Sequence, residues 1–171
     1  MNTVLVAYAS RMGSTQEIAE AIGAQLVKRG FPVEVTAAEK APSAHLFDAV
    51  VLGSALYIGR WDKAALSYLK QNGSDLRGRP TWLFQSGPAG PGEEYPNPRT
   101  PGAVRRQCRS WGLAAPTTFG GNLDPARARG RLARWMANGD LAGDFRDWDQ
   151  IRMWVDTIAD QLMSRQTSAS T

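Results

Sequence analysis

A six-residue segment near the start of the chain combines hydroxyl groups, a guanidinium and a glycine, which are groups suited to binding phosphate. Its residues are Ser10, Arg11, Met12, Gly13, Ser14 and Thr15. The hydroxyls can donate to phosphate oxygens, the glycine permits close approach of the backbone, and the guanidinium can add positive charge. The segment follows an apolar, β-branched run, Thr3–Ala9, which is typical of a strand buried on both faces. We therefore predict a phosphate-binding loop at the end of a buried strand.

The residues that follow this loop predict an amphipathic helix. Apolar residues recur every four positions from Ile18 to Leu26, and Gly30 marks the end of the pattern. Ser14 and Glu17 have the spacing of a capping box, which places the first helical turn directly at the loop. The first N–H groups of a helix lack intrahelical acceptors, and the helix dipole is positive there. Both properties favour a bound phosphate over a purely structural cap.

Two further segments are predicted at the same edge of the fold, because each follows an apolar strand. The first follows Ala49–Gly53 and places small residues beside Tyr57 and Trp61, whose rings could cover a planar ligand. The second, 86–90, follows Thr81–Gln85 and is rich in small and hydroxyl residues. A phosphate cradle, an aromatic-flanked slot and a glycine-rich wall together suit flavin mononucleotide (FMN). The expected cofactor contacts in these two segments are Ser54, Ala55, Leu56, Tyr57, Ile58, Gly59 and Trp61, and then Ser86, Gly87 and Pro88.

Other phosphate-using chemistries lack their sequence signatures. No G-x-x-x-x-G-K-[ST] motif is present, and no G-x-G-x-x-G follows the first strand. Ser10 and Ser54 stand where a receiver domain carries acidic metal ligands. Cys108, the single cysteine, lies too far along the chain for a phosphatase loop, cannot form a cysteine-based zinc site, and is expected in the core. The phosphate is therefore expected to belong to a held cofactor, and the sequence assigns neither a metal site nor a catalytic residue.

The order of the predicted elements is that of an α/β domain. Strands alternate with helices, which predicts a doubly wound, five-stranded parallel sheet in the order 2-1-3-4-5 with helices on both faces. Residues 86–102 contain five prolines and four glycines and are expected to form a loop. The predicted strands are Thr3–Ala9, Pro32–Thr36, Ala49–Gly53, Thr81–Gln85 and Pro116–Phe119. Four helices are predicted: one that begins at Ser14, two that cover Lys63–Gln71 and Val104–Trp111, and one that begins after the cap Asp147. The polar tail from Ser164 is expected to be frayed.

Length and composition fit a single soluble domain over residues 1–163. The chain has 171 residues, of which 43% are hydrophobic and 21% charged. No apolar run reaches the roughly 18 residues that span a bilayer, and the N-terminus lacks a secretory pattern, so we expect a cytoplasmic protein. The net charge is +4, and residues 60–135 hold 13 basic against 5 acidic residues, which favours an anionic partner. No interleaving of aromatic and basic residues indicates nucleic-acid binding.

The chain resembles a known family over nearly its whole length. The segment 10–15 after TVLVAYA is similar to the FMN phosphate loop of flavodoxins. Two further stretches, VVLGSALYIGRWDKA (50–64) and GDFRDWDQI (143–151), resemble the flavodoxin-domain family that includes menaquinone-dependent protoporphyrinogen IX dehydrogenase. The resemblance implies a flavodoxin-like fold, FMN as the cofactor and a redox function. In that dehydrogenase an aromatic residue precedes the glycine of the second loop, whereas this chain has Ile58 there.

Two functions remain open at this point. In the first, an FMN-dependent oxidoreductase passes electrons from a small organic donor, such as a porphyrinogen, to a quinone. In the second, an electron carrier docks on redox partner proteins and has no substrate of its own. Carrier flavodoxins are typically acidic, so the basic charge of this chain favours the first function.

Residues 122–146 form an insertion between the last strand and the last helix, where a minimal flavodoxin needs only a short turn. Arg127, Arg131 and Arg134 fall on one face of a helical pattern, and apolar residues fall on the other. Such a helix could rest on the anionic inner face of a membrane that holds quinone, or pair with porphyrinogen propionates. It could equally pack on the sheet with its arginines in solvent.

Overall fold

A computed structural model describes residues 3–87, 99–123 and 143–169 of the chain. The strands are β1 (Val4–Ala9), β2 (Val33–Ala37), β3 (Ala49–Tyr57), β4 (Arg60–Trp61), β5 (Thr81–Gly87), β6 (Thr117–Gly120), β7 (Asn122–Leu123) and β8 (Gly143–Asp144). The helices are α1 (Ser14–Lys28), α2 (Lys63–Gln71), α3 (Gly73–Arg77), α4 (Gly102–Trp111) and α5 (Trp148–Ala169), and a short 3-10 helix covers Ala44–Leu46.

The predicted α/β fold and sheet order are confirmed. β2, β1, β3, β5 and β6 lie side by side in this order, and each neighbouring pair is parallel. This is the order 2-1-3-4-5 once the short β4, which pairs antiparallel with the end of β3, is set aside. The carboxyl ends of β1, β3 and β5 therefore share one edge of the sheet, as the predicted site requires.

Two apolar layers cover the sheet, one on each face. The first packs α1 and α5 against the sheet, and the second packs α2, α3 and α4 against the opposite face. β1 lies between them, and its residues from Val4 to Ala7 are fully buried. Cys108 belongs to the second layer, as expected, and burial raises the pKa of its thiol. The layers hold β1 rigidly, so the loop that leaves its carboxyl end starts from a fixed point.

β3 extends beyond its predicted end at Gly53 and continues to Tyr57. Gly53 is required inside the strand, because a Cβ there would lie 2.0 Å from Cζ of Phe84 on β5. The chain then reverses at Ile58 and Gly59, whose φ angles of 49° and 66° are those of a two-residue type I′ turn. The segment predicted as a binding loop over 53–61 is thus mostly a β-hairpin.

The N-terminus of α1 differs from the predicted capping box. Gly13, with a φ of 89°, occupies the N-cap position, and no side chain of the described residues caps the helix. Ser14 Oγ instead accepts a hydrogen bond from the N–H of Asn122 at 2.8 Å. Glu17 forms an ion pair with Arg146. The two residues of the expected box are therefore engaged by the segments after β6 and β8.

α5 begins as predicted but ends later. The cap is present, because Asp147 Oδ1 accepts a hydrogen bond from the N–H of Gln150 at 2.9 Å. The helix continues to Ala169 through the polar residues from Ser164, where the sequence predicted fraying. The hydroxyls of Ser164 and Ser168 each donate to a carbonyl one turn earlier, so these side chains are hydrogen-bonded within the helix.

The structure describes both ends of the predicted insertion, and these two ends form a β-sheet pairing. Asn122 lies opposite Asp144, and Leu123 lies opposite Gly143, in the antiparallel pair β7–β8. Arg127, Arg131, Arg134 and Pro88 lie outside the described residues, so the contacts expected of them stay predictions. Over the parts of the chain that the structure describes, no helix has both the length and the hydropathy to cross a membrane.

Candidate cofactor site

The loop 10–15, the β3–β4 hairpin and the end of β5 meet in one pocket at the carboxyl edge of the sheet. The pocket brings together most of the residues predicted to contact a cofactor. It also includes residues that follow β6 and β8. Its walls are formed by Ser10, Arg11, Met12, Ser14, Thr15, Ala55, Leu56, Tyr57, Ser86 and Gly87 from the predicted segments, together with Gly121, Asn122 and Phe145.

The hydroxyl groups of the first loop are arranged to donate to an anion. Ser10 Oγ accepts from the N–H of Gly13 at 3.0 Å, and Ser14 Oγ accepts from the N–H of Asn122. Because each oxygen already accepts a backbone hydrogen bond, its own proton remains available for a ligand. The positive end of the α1 dipole lies at the same place, and Gly13 provides the left-handed turn that leads into it. This end of the pocket suits a phosphate.

Arg11 lies at the rim of the pocket, held by an acid and an aromatic ring. Its Nε donates to Asp62 Oδ2 at 3.0 Å, and its guanidinium carbon lies 4.9 Å from the centre of the Tyr57 ring. Asp62 also caps α2, because its Oδ1 accepts from the N–H of Ala64, and its own N–H donates to Ser54 Oγ at 2.9 Å. Ser54 thus positions the end of the hairpin and is not among the residues that form the pocket walls, so its cofactor contact stays a prediction.

The two aromatic residues predicted to cover the ligand have different positions. Tyr57 lines the pocket, whereas Trp61 is buried in the fold and is not among the wall residues. Trp61 Nε1 donates to Gln85 Oε1 at 3.0 Å, and Gln85 Nε2 donates to Thr118 Oγ1 at 3.0 Å. These hydrogen bonds fix the hairpin against β5 and β6, so Trp61 contributes to the packing of the fold.

Ile58, Gly59 and Gly13 are also absent from the walls of the pocket, although all three were predicted contacts. Ile58 and Gly59 form the exposed tip of the hairpin, where the chain reverses between Tyr57 and Arg60. Gly13 contributes the left-handed turn that leads into α1 and an N–H that donates to Ser10 Oγ. The hairpin therefore presents Ala55, Leu56 and Tyr57 to the pocket, which are the last residues of β3.

Three wall residues were missed by sequence reasoning, namely Gly121, Asn122 and Phe145. The N–H of Gly121 donates to the carbonyl of Gly87 at 2.8 Å, and the N–H of Phe145 donates to the carbonyl of Gly121 at 3.0 Å. Gly120 makes this approach possible, because a Cβ there would lie 1.9 Å from the carbonyl oxygen of Phe145. Two consecutive glycines, Gly120 and Gly121 at the end of β6, are the sequence signal that could have indicated a close backbone approach.

The chemistry of the pocket fits FMN. One end offers hydroxyl donors and the positive end of a helix for the phosphate, and the other walls are aromatic or apolar, as a flavin ring requires. Met12, Leu56, Tyr57 and Phe145 provide the apolar part. A Cβ at Gly121 would lie 3.1 Å from the carbonyl oxygen of Gly87, so a larger residue there would require the Gly87 backbone to shift by a few tenths of an ångström.

Comparison with known proteins agrees with this fold. The flavodoxin domain family matches residues 5–130. Rubredoxin oxygen:oxidoreductase of Desulfovibrio gigas superposes with a TM-score of 0.62 at 16% identity, over 97% of this chain and 37% of that one. Flavodoxin 2 of Bacillus cereus gives 0.61 at 16% identity, over 94% of this chain and 99% of that one. The K13G flavodoxin mutant of Fusobacterium nucleatum, bound to FMN, gives 0.51 at 18% identity, over 69% and 68%.

These structural likenesses show the fold, and the match to the family shows the relationship. This chain spans 37% of the Desulfovibrio gigas protein, so it corresponds to one part of that larger molecule. No curated protein sequence matches it significantly. The family and the chemistry of the pocket support FMN, the predicted cofactor, and an electron-transfer role. The chain belongs to the flavodoxin-domain family.

Proposed function

We propose that this chain is an FMN-dependent oxidoreductase that takes electrons from a small organic donor and passes them to a quinone. The observation that carries the proposal is the pocket itself, which joins an anion-binding helix end to aromatic and apolar walls. Bound FMN supplies the redox chemistry, and the protein supplies its position and its electrostatic surroundings.

The residues of the chain have separable tasks in this proposal. The hydroxyls of Ser10 and Ser14 donate to the phosphate, together with the first N–H groups of α1. Tyr57 and Phe145 form walls that exclude water from the pocket. Arg11, whose side chain is half exposed, holds a positive charge at the rim. Asp62 offsets part of this charge, and the remainder favours negative charge in the pocket.

The charge of the chain supports an anionic small-molecule donor. The net charge is +4, and the basic excess is concentrated between residues 60 and 135. The family resemblance suggests protoporphyrinogen IX, which carries propionates, as the donor and menaquinone as the acceptor. Arg127, Arg131 and Arg134 are proposed to pair with the propionates, or with an anionic membrane surface that holds the quinone.

A second candidate function is that of an electron carrier that docks on redox proteins. The superposition on 99% of flavodoxin 2 of Bacillus cereus supports it. The positive net charge disfavours it, since it departs from the acidic surface typical of such carriers. The two functions differ in whether the chain turns over a small-molecule donor without a partner protein.

The test is the anaerobic oxidation of protoporphyrinogen IX by FMN-loaded protein in the presence of menaquinone, followed by porphyrin fluorescence. We expect turnover that requires FMN. Absence of turnover by protein that holds FMN tightly, combined with FMN-dependent electron transfer to a reductase, would favour the carrier.

A pair of triple variants tests the proposed role of the insertion. Both variants remove three positive charges, so they differ in place and not in total charge. We expect kcat/KM to fall on the order of tenfold in the insertion variant and to stay near the wild-type value in the α4 variant. The insertion variant is Arg127→Gln, Arg131→Gln and Arg134→Gln, and the matched control on exposed positions of α4 is Arg105→Gln, Arg106→Gln and Arg109→Gln.

A further inference from the structure

A buried arginine directly follows Phe145 in the wall of the pocket. The side chain of Arg146 is 7% exposed and lies between two carboxylates. Its Nη1 pairs with Glu17 Oε2, and its Nε and Nη2 donate to the two carboxylate oxygens of Asp144 at 2.8 and 2.6 Å. Its guanidinium carbon lies 4.7 Å from the centre of the Trp148 ring. A buried guanidinium requires such partners, because an isolated buried charge is costly.

The ion pair between Glu17 and Arg146 joins two parts of the pocket that are distant in sequence. Glu17 lies in the first turn of α1, directly after the phosphate loop, and 129 positions separate it from Arg146. Arg146 is the residue after Phe145, whose N–H is already bonded to the carbonyl of Gly121. The pair thus fixes the Phe145 wall to the same helix whose N-terminus forms the phosphate end.

The pair also affects the charge next to the phosphate end. An acidic residue in the first turn stabilises a helix whose N-terminus binds no ligand, because it interacts with the positive end of the helix dipole. The same residue repels an anion that binds at that N-terminus. Glu17 is such a residue, and Asp144 brings a second carboxylate, whose pKa is held below its ordinary value by hydrogen bonds from Arg146. Without Arg146, both carboxylates would stand uncompensated by its positive charge. The arginine therefore lowers the negative charge that a bound phosphate meets.

We propose that Phe145 and Arg146 belong to the cofactor site. Phe145 is a wall that contacts the ligand, and Arg146 is a positioning residue that ties this wall to α1 and neutralises Glu17 beside the phosphate. The proposal rests on the proposed function, because it takes FMN as the ligand. It gives a role to the segment 143–151, which the sequence distinguishes by its family resemblance.

The test compares FMN with riboflavin, which lacks the phosphate, by fluorescence titration of the flavin-free protein. For Arg146→Gln we expect FMN affinity to fall on the order of tenfold and riboflavin affinity to fall much less. The double variant Glu17→Gln, Arg146→Gln should regain most of the preference for FMN, because the repelling charge is also gone. Phe145→Ala should weaken both flavins alike.

Two further variants serve as controls. Arg152→Gln is matched, because Arg152 forms an exposed ion pair with Asp149 on α5, and it should bind both flavins as the wild type does. Arg146→Lys retains the charge and should retain the preference for FMN. This variant also provides a readout if Arg146→Gln does not fold, as judged by thermal unfolding.

Distinct results would overturn the two proposals. Unchanged FMN affinity in Arg146→Gln would overturn both roles of Arg146, and equal losses for both flavins without recovery in the double variant would overturn its neutralisation of Glu17. Unchanged affinity of Phe145→Ala for both flavins would overturn the role of Phe145. Wild-type protein that fails to bind FMN would overturn the proposed function, and this inference with it.

Discussion

The hydroxyl oxygens of Thr15 and Ser86 lie 2.7 Å apart, which joins the first turn of α1 to the end of β5 across 71 positions. Both side chains are buried. One hydroxyl donates to the other, so a single proton of the pair remains for a third group. The contact sets the distance between the phosphate loop and the wall formed by Ser86 and Gly87.

Removal of this hydrogen bond should weaken both the fold and the site. Thr15→Val preserves the branched shape but leaves Ser86 without this partner, so we expect the free energy of unfolding to fall by about 1 kcal/mol. FMN affinity should fall by about threefold to tenfold, as measured by flavin titration beside urea unfolding. Thr157→Val is a matched control, because the Thr157 hydroxyl is exposed and bonds within α5. Equal effects of the two substitutions would contradict the role assigned to the contact.

Tyr57 and Trp61 should respond in opposite ways to substitution. Trp61→Phe removes the indole N–H that donates to the buried Gln85, so we expect a loss of about 1 to 2 kcal/mol in the free energy of unfolding with FMN affinity unchanged. Tyr57→Leu removes an aromatic wall of the pocket, so we expect FMN affinity to fall by about fivefold to tenfold with little loss of stability. Flavin titration and urea unfolding of both variants measure this. A larger loss of FMN affinity in Trp61→Phe would reverse the assignment.

The sheet order and the position of the phosphate loop were predictable because burial shows directly in local patterns. The run Thr3–Ala9 is apolar because β1 is covered on both faces, and the spacing from Ile18 to Leu26 records the face of α1 that packs on the sheet. The position of the loop between them follows from the topology, because the connection from a parallel strand to the next helix runs from the carboxyl end of the strand to the N-terminus of the helix.

Local patterns failed where a contact from elsewhere in the chain sets the conformation. The sequence predicts a strand end at Gly53, but this position is a glycine because the ring of Phe84 on β5 leaves no room for a Cβ. Phe145 was missed for a related reason. The position of Phe145 in the pocket depends on Gly120, because only a glycine there leaves room for the Phe145 carbonyl. It also depends on the ion pair between Arg146 and Glu17 of α1. The glycines at 120 and 121 indicate a close backbone approach, but no local spacing identifies Phe145 or Arg146 as the residues that make it.

The tip of the β3–β4 hairpin should tolerate, and benefit from, a residue better suited to its geometry. Ile58 has a φ of 49° and is 62% exposed, and β-branched residues are disfavoured in the left-handed region. Asn-Gly is the preferred pair for a type I′ turn, so Ile58→Asn should raise the free energy of unfolding by about 1 kcal/mol. Urea unfolding measures the gain, and Ile58→Val, which stays β-branched, should show none. A less stable Ile58→Asn protein would mean that the isoleucine side chain makes contacts worth more than the backbone strain.

Tyr68 should make the stability of the fold sensitive to alkaline pH. Its hydroxyl donates to the carbonyl of Pro42 at 2.9 Å, and burial raises its pKa from 10.0 to about 12. Because the folded-state pKa is above the unfolded one, its contribution to stability is complete below pH 10 and is lost as the pH rises toward about 12. Tyr68→Phe should cost about 1 kcal/mol at neutral pH, since the hydrogen bond is removed, and should lose less stability in that alkaline range. The two proteins should therefore converge in urea unfolding measured from pH 8 upward, and a difference that stays constant through pH 12 would show that the hydroxyl ionises alike in both states.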